Sequence, residues 1–92
     1  MGLDELRGAL EAVLFTGGDP LAEAQLAEVL QADAGTVRRL LAALGEELSA
    51  RAGGLMLRET AGGWQLVTRP EYFPYVERLS QETNLKLSRA AM

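Results

Sequence analysis

The stretch Leu55-Met56-Leu57-Arg58-Glu59-Thr60-Ala61-Gly62-Gly63-Trp64-Gln65-Leu66-Val67-Thr68-Arg69 decides the fold. It reads as two strands joined by a glycine pair, because a tight hairpin turn asks for backbone angles that glycine adopts without strain. With Gly62-Gly63 as the two loop residues, Ala61 faces Trp64, Glu59 faces Leu66 and Leu57 faces Thr68. Alternation then gathers Leu55, Leu57, Ala61, Trp64 and Leu66 on one face. Met56, Arg58, Thr60, Gln65, Val67 and Arg69 fall on the other, so one face suits a core and one suits water.

Upstream the apolar period changes from two to three and four. Leu3, Leu6, Leu10, Val13 and Leu14 trace one stripe of an amphipathic helix, with Asp4 and Glu5 in the dipole-favoured first turn. Gly17-Gly18 ends it. Asp19-Pro20 marks a second helix, with Asp19 as cap and Pro20 in the first helical position. Leu26, Val29 and Leu30 form its apolar face. The chain breaks at Gln31-Ala32-Asp33, and Asp33 caps a longer third helix carrying Val37, Leu40, Leu41, Leu44 and Leu48 on one side. Gly45 costs that helix about 1 kcal/mol relative to alanine and leaves room for a close neighbour.

Beyond the hairpin, a last helix is expected from about Glu71 to Leu79, with Pro74 tolerated in its first turn. The whole is α+β, mainly α: a winged helix-turn-helix of three helices, a two-stranded wing and a C-terminal helix, spanning residues 1–80. Residues 81–92 read as a linker that breaks off at the start of a further helix. Within them Leu87-Ser88-Arg89-Ala90-Ala91 suggests a new helix with Ser88 as its cap.

Composition narrows the function. The 92 residues allow one domain, and 48% hydrophobic residues favour a folded one. There is no Cys and no His, and Lys86 is the only lysine. Thiolate, imidazole and lysine chemistry fall away together, and nearly all zinc chemistry with them, so no enzyme activity, cofactor or metal is expected. The net charge is −4 with a pI near 4.7. Residues 1–50 set three arginines against nine acids, a net of −6. Residues 51–92 set six cations against four glutamates, a net of +2. No apolar run approaches the roughly 20 residues that cross a bilayer, and no basic start leads into an apolar stretch. The expected setting is the cytoplasm, without membrane association.

The fold invites a DNA-reading function. On the third helix the residues opposite the apolar stripe are Gly35, Arg39, Ala42, Glu46 and Ala50, with Arg38 nearby. A major-groove reader shows Arg, Lys, Asn or Gln along that face, and here two arginines give way to alanines and an acid. Arg58 and Arg69 on the wing are candidates for phosphate contact or ordinary surface charges. The acidic balance disfavours sequence-specific nucleic-acid binding. A DNA-binding winged-helix transcriptional regulator is therefore the alternative reading.

Protein contact has its own candidates: Gly8, Ala12, Phe15, Arg39, Trp64, Tyr72 and Tyr75. Gly8, Ala12 and Phe15 lie opposite the first helix's core stripe, where small residues let another helix approach. Alternatively Phe15 folds back into its own domain. Trp64 either anchors an interface or packs between hairpin and third helix. Tyr72, Phe73 and Tyr75 crowd one turn, and a chain this short cannot bury all three, so at least one tyrosine is expected at a partner surface. Asp4-Glu5 and Glu46-Glu47 are adjacent acids whose side chains point about 100° apart on a helix, and they read as solvated faces.

Several of these residues resemble one family. Leu10-Glu11-Ala12-Val13-Leu14-Phe15, then Asp19-Pro20-Leu21, then Leu57 through Tyr72 and on through Pro74-Tyr75-Val76, are similar to the amino-terminal winged-helix domain of segregation and condensation protein B, ScpB. Leu87 through Ala91 resembles the opening of that family's second winged-helix domain. The hairpin running into Arg69-Pro70-Glu71-Tyr72 is the most specific part. One departure is Ala22, where similar sequences often carry a capping hydroxyl, and it bears on where the second helix starts. The resemblance implies a role in chromosome condensation and segregation, within a condensin-like complex of ScpA (the kleisin) and the SMC ATPase. It also implies a homodimer paired through this domain, associated with the nucleoid through the complex.

Overall fold

A computed structural model describes the backbone of residues 2–91 and the side chains of residues 2–82. The elements follow in the order α1 (Leu3–Gly17), α2 (Glu23–Leu30), α3 (Ala34–Ala50), β1 (Leu55–Thr60), β2 (Gly63–Thr68), a single 3₁₀ turn (Pro70–Tyr72) and α4 (Phe73–Ala91). This is the expected winged-helix arrangement.

The core is wholly aliphatic. Leu10 and Leu14 enter from α1, Leu26 and Leu30 from α2, and Val37, Leu40, Leu41, Leu44 and Leu48 from α3. Each gains roughly 1.5–3 kcal/mol from leaving water. The half-buried Leu57, Trp64 and Leu66 of the hairpin lie against this cluster. The stripes thus do what their spacing predicts, except that Leu3, in the first turn of α1, and Val29, on the outer side of α2, stay exposed at 67% and 60%. Leu57 is also the near neighbour of Gly45, its Cδ2 lying 3.7 Å from where a Cβ would stand.

The helix ends have local causes. Gly18 takes a positive φ of 76° after α1. Asp33 caps α3 as expected, its Oδ1 accepting from the Thr36 N–H at 2.8 Å. The start of α2 differs from expectation. It begins at Glu23, because Ala22 is extended and Leu21 pairs with Trp64 as a bridge. A residue held in strand pairing cannot also form the first helical turn. Ala22 occupies the cap position without a side-chain acceptor, and Gln25 Oε1 reaches back to accept from the Ala22 N–H at 3.0 Å.

The hairpin register also differs. Thr60 pairs with Gly63, Glu59 with Trp64, Leu57 with Leu66 and Leu55 with Thr68, so the loop residues are Ala61-Gly62. Neither takes a positive φ; that conformation falls on Gly63, at 133°. The slip is two residues, an even number, so Leu55, Leu57, Trp64 and Leu66 still share a face. Ala61 leaves that face for the loop.

The last helix is longer than expected. A 3₁₀ turn leads into α4, with Pro74 as its second residue, and the helix passes Leu79 without ending. Ser80 through Asn84 holds no Gly or Pro to stop it. The capping role suggested for Ser88 lies outside the residues with described side chains. Among the described residues, no helix is long and apolar enough to cross a membrane.

Candidate protein interface

A three-way polar joint sits where the wing meets the helices. Glu23, the first residue of α2, accepts from Arg38 Nε at 3.0 Å through Oε1 and from the Trp64 indole N–H at 3.2 Å through Oε2. The Arg38 bond, seconded by that from Trp64, holds the Glu23 carboxyl below its ordinary pKa. Trp64 therefore packs between hairpin and α3, as one of its two readings had it. It lines a groove of about 640 Å³ with Ala42, Gly45, Glu46 and Met56.

A second joint closes the other end of the wing. Arg69 Nη2 donates to the carbonyl oxygens of Leu48 and, at 2.9 Å, Arg51, and its Nε donates to that of Leu55 at 3.3 Å. The guanidinium thereby satisfies carbonyls at the end of α3 that lack intrahelical partners. Three of its five N–H donors are spent on backbone carbonyls. Arg38 is likewise engaged, whereas Arg39 is exposed on α3 beside a hollow lined by Leu3, Asp4, Arg7 and Thr36. Arg58 reaches only Gln65, at 3.5 Å.

The remaining candidates lie on two other surfaces. Gly8, Ala12 and Phe15 are exposed along α1, and Phe15, 75% exposed, does not fold back. Ala12 also lines an apolar groove of about 440 Å³ between α1 and α2, with Val13, Leu21, Leu26 and Val29. Tyr72 and Tyr75 belong to the C-terminal segment, where every described side chain from Pro70 to Glu82 is exposed. Arg78 lies over the Tyr75 ring, 5.8 Å from its centroid. The seven candidates are thus spread over four surfaces.

Sequence reasoning missed Glu23, whose role depends on two residues distant in sequence. It also missed Val29, Val76 and Leu79 as exposed apolar side chains; their spacing is that of any helix stripe. The adjacent acids behave as surface charges: Arg7 lies 3.4 Å from Asp4 and 3.2 Å from Glu47. No cluster of acids suited to a metal occurs among the described residues.

The comparisons with known proteins agree with this architecture. The family model described as segregation and condensation complex subunit ScpB matches residues 8–92. Segregation and condensation protein B of Desulforamulus reducens is 39% identical over 89 residues, covering 97% of this chain and 49% of that protein. The protein of the same name from Moorella thermoacetica is 43% identical over 89 residues, covering 97% and 46%. The chain spans about half the length of these relatives. A crystal structure of ScpB from Mycobacterium tuberculosis superposes with a TM-score of 0.85 at 33% identity, covering 91% of this chain and 52% of that one. A dimer of the ScpB N-terminal domain complexed with ScpA peptide superposes with a TM-score of 0.78 at 30% identity, covering 85% and 92%. With its match running from Gly8 to Met92, the chain belongs to the segregation and condensation complex subunit ScpB family.

Proposed function

We propose that this domain is a non-catalytic part of an SMC–ScpA–ScpB complex acting in chromosome condensation and segregation, pairing with a second copy of itself and contacting ScpA. The observation that carries the reading is the state of the arginines. Arg38 is tied to Glu23, and Arg69 is turned onto backbone carbonyls. The face that a DNA-reading winged helix presents to phosphate is left with Arg39 and Arg58 as its loosely held cations, beside Glu46. Apolar side chains are meanwhile exposed on α1, α2 and α4, which suits polypeptide partners. The relative solved as a dimer with an ScpA peptide supports both contacts. The absence of Cys and His supports a role without catalysis, exercised in the cytoplasm at the nucleoid through the complex.

The test is solution mass by light scattering, titration with an ScpA peptide, and duplex DNA affinity at two salt concentrations. A dimer that takes the peptide, with no DNA binding near physiological salt, supports the proposal. Steep salt-dependent and sequence-selective DNA binding that requires Arg38 and Arg39 overturns it in favour of a transcriptional regulator.

A further inference from the structure

Between α1 and α2 the domain leaves its apolar groove of about 440 Å³ uncovered. Two polar side chains share the lining, and both are engaged within the chain. The Thr16 hydroxyl donates to the Ala12 carbonyl oxygen at 2.7 Å, and Gln25 Oε1 accepts from the Ala22 N–H. Val29 is exposed on the α2 wall, and Phe15 is exposed one turn from Ala12 at the outer edge of α1.

A helix suits this groove better than an extended segment. Both long walls are helices whose backbone groups are bonded within themselves, so a strand laid between them would pair none of its own N–H and C=O groups with them. A helix arrives with its backbone already satisfied and offers apolar side chains at i, i+3, i+4 and i+7.

Charge gives the character of that helix. Glu5 shares a line of α1 with Ala12 and Thr16, and Glu28 lies one turn beyond Gln25 on α2. Both acids are exposed, and neither enters an ion pair among the described residues. Residues 1–30 hold six acids against Arg7 alone, and Arg7 is turned to Asp4 and Glu47. α1 also ends at the groove with no basic residue in its last turn, so the negative end of its dipole is unanswered there. Basic flanks on an incoming helix complement this field. A second copy presenting the same face would instead set Glu5 and Glu28 against like charges.

We infer that the α1–α2 groove receives an amphipathic helix of another protein, its apolar face in the groove and lysines or arginines on its flanks. The inference is independent of self-pairing.

The experiment titrates the whole chain against a labelled, helix-stapled peptide with leucine at i, i+3, i+4 and i+7 and lysine on both flanks, beside a twin with glutamate in place of lysine. The lysine peptide is expected to bind at least roughly 10-fold more tightly than its twin, by a margin that shrinks with salt. The Glu5→Lys/Glu28→Lys double variant leaves the apolar lining untouched and is expected to invert the preference. Ala12→Gln narrows the groove at an exposed position without adding charge, and is expected to weaken both peptides at least roughly 10-fold with the melting curve unchanged. No binding of either peptide near about 1 mM overturns the inference. So does a preference that the charge reversal leaves unmoved, or binding that Ala12→Gln leaves intact. A solution mass that falls in Ala12→Gln assigns this face to a second copy and overturns it as well.

Discussion

Gly63 approaches Leu21 so closely that a Cβ on Gly63 would stand 2.2 Å from the Leu21 carbonyl oxygen. The contact exists because Trp64, the next residue, exchanges both backbone hydrogen bonds with Leu21, each 2.8 Å long. The wing is thereby sewn to the connection between α1 and α2, and Leu21 serves as a one-residue third strand.

Gly63→Ala is accordingly expected to be strongly destabilising. It adds the strain of a side chain at a φ of 133° to a clash with backbone that cannot step aside. A loss of at least about 3 kcal/mol is expected. Gly62→Ala is the contrast: its Cβ would meet Pro20 at an ordinary 3.6 Å, and φ there is not positive. That variant should be neutral or more stable by up to about 1 kcal/mol, through the unfolded state. Urea titration followed by fluorescence of the single Trp64 measures both.

Acid should loosen the joint between α2, α3 and the wing. Glu23 is held below its ordinary pKa by Arg38 and then Trp64, and Asp33 by hydrogen bonds from Thr36. A carboxyl depressed in the folded state stabilises fully above its unfolded pKa and loses that contribution as pH falls through the folded value. Stability should therefore be flat at neutral pH and decline below the ordinary carboxylate range. Glu23→Gln and Asp33→Asn should each reduce the slope of melting temperature against pH in that acid window. An unchanged slope in the double variant would contradict the assignment.

The fold was legible in the sequence wherever the signal was a period, and misread where it was a contact. The stripes of α1, α2 and α3 and the apolar face of the hairpin are properties of spacing, and they hold apart from Leu3 and Val29, which stay exposed, and Ala61, which leaves for the loop. The register was missed because Gly62-Gly63 was read as a local turn demand, when Gly63 answers to Leu21, 42 residues earlier. The start of α2 was missed for the same reason: the Asp19-Pro20 signal is overridden by strand pairing at Leu21. For the interface, aromatic crowding at Tyr72, Phe73 and Tyr75 correctly implied exposed side chains. Phe15 and Trp64 could each be inside or outside by pattern, and only the packed fold separates them.

Arg69 is expected to matter to stability, unlike the wing's other arginine. It satisfies the carbonyls of Leu48, Arg51 and Leu55 together, where Arg58 makes one long contact with Gln65. Arg69→Ala should lose about 1–3 kcal/mol, and Arg58→Ala should stay within about 0.5 kcal/mol. Arg69→Lys should restore little, since one ammonium cannot reproduce the planar fork across three acceptors. Urea midpoints of the three variants decide the matter, and full rescue by lysine would show that charge alone suffices.

Leu44 and Phe15 separate the core from the surface. Leu44 is fully buried in the middle of α3, so Leu44→Ala should cost roughly 2–5 kcal/mol, through lost transfer energy and the cavity left behind. Phe15 is the larger side chain but stands 75% exposed near the end of α1. Phe15→Ala should therefore change monomer stability by less than about 0.5 kcal/mol. Any larger effect of Phe15→Ala must arise in a complex, as weaker binding of ScpA peptide or of a second copy. Thermal unfolding in dilute solution, compared with titration calorimetry against the peptide, keeps the two effects apart. A Phe15→Ala variant that melts as early as Leu44→Ala would place Phe15 inside the fold and remove α1's outer face from the candidate interfaces.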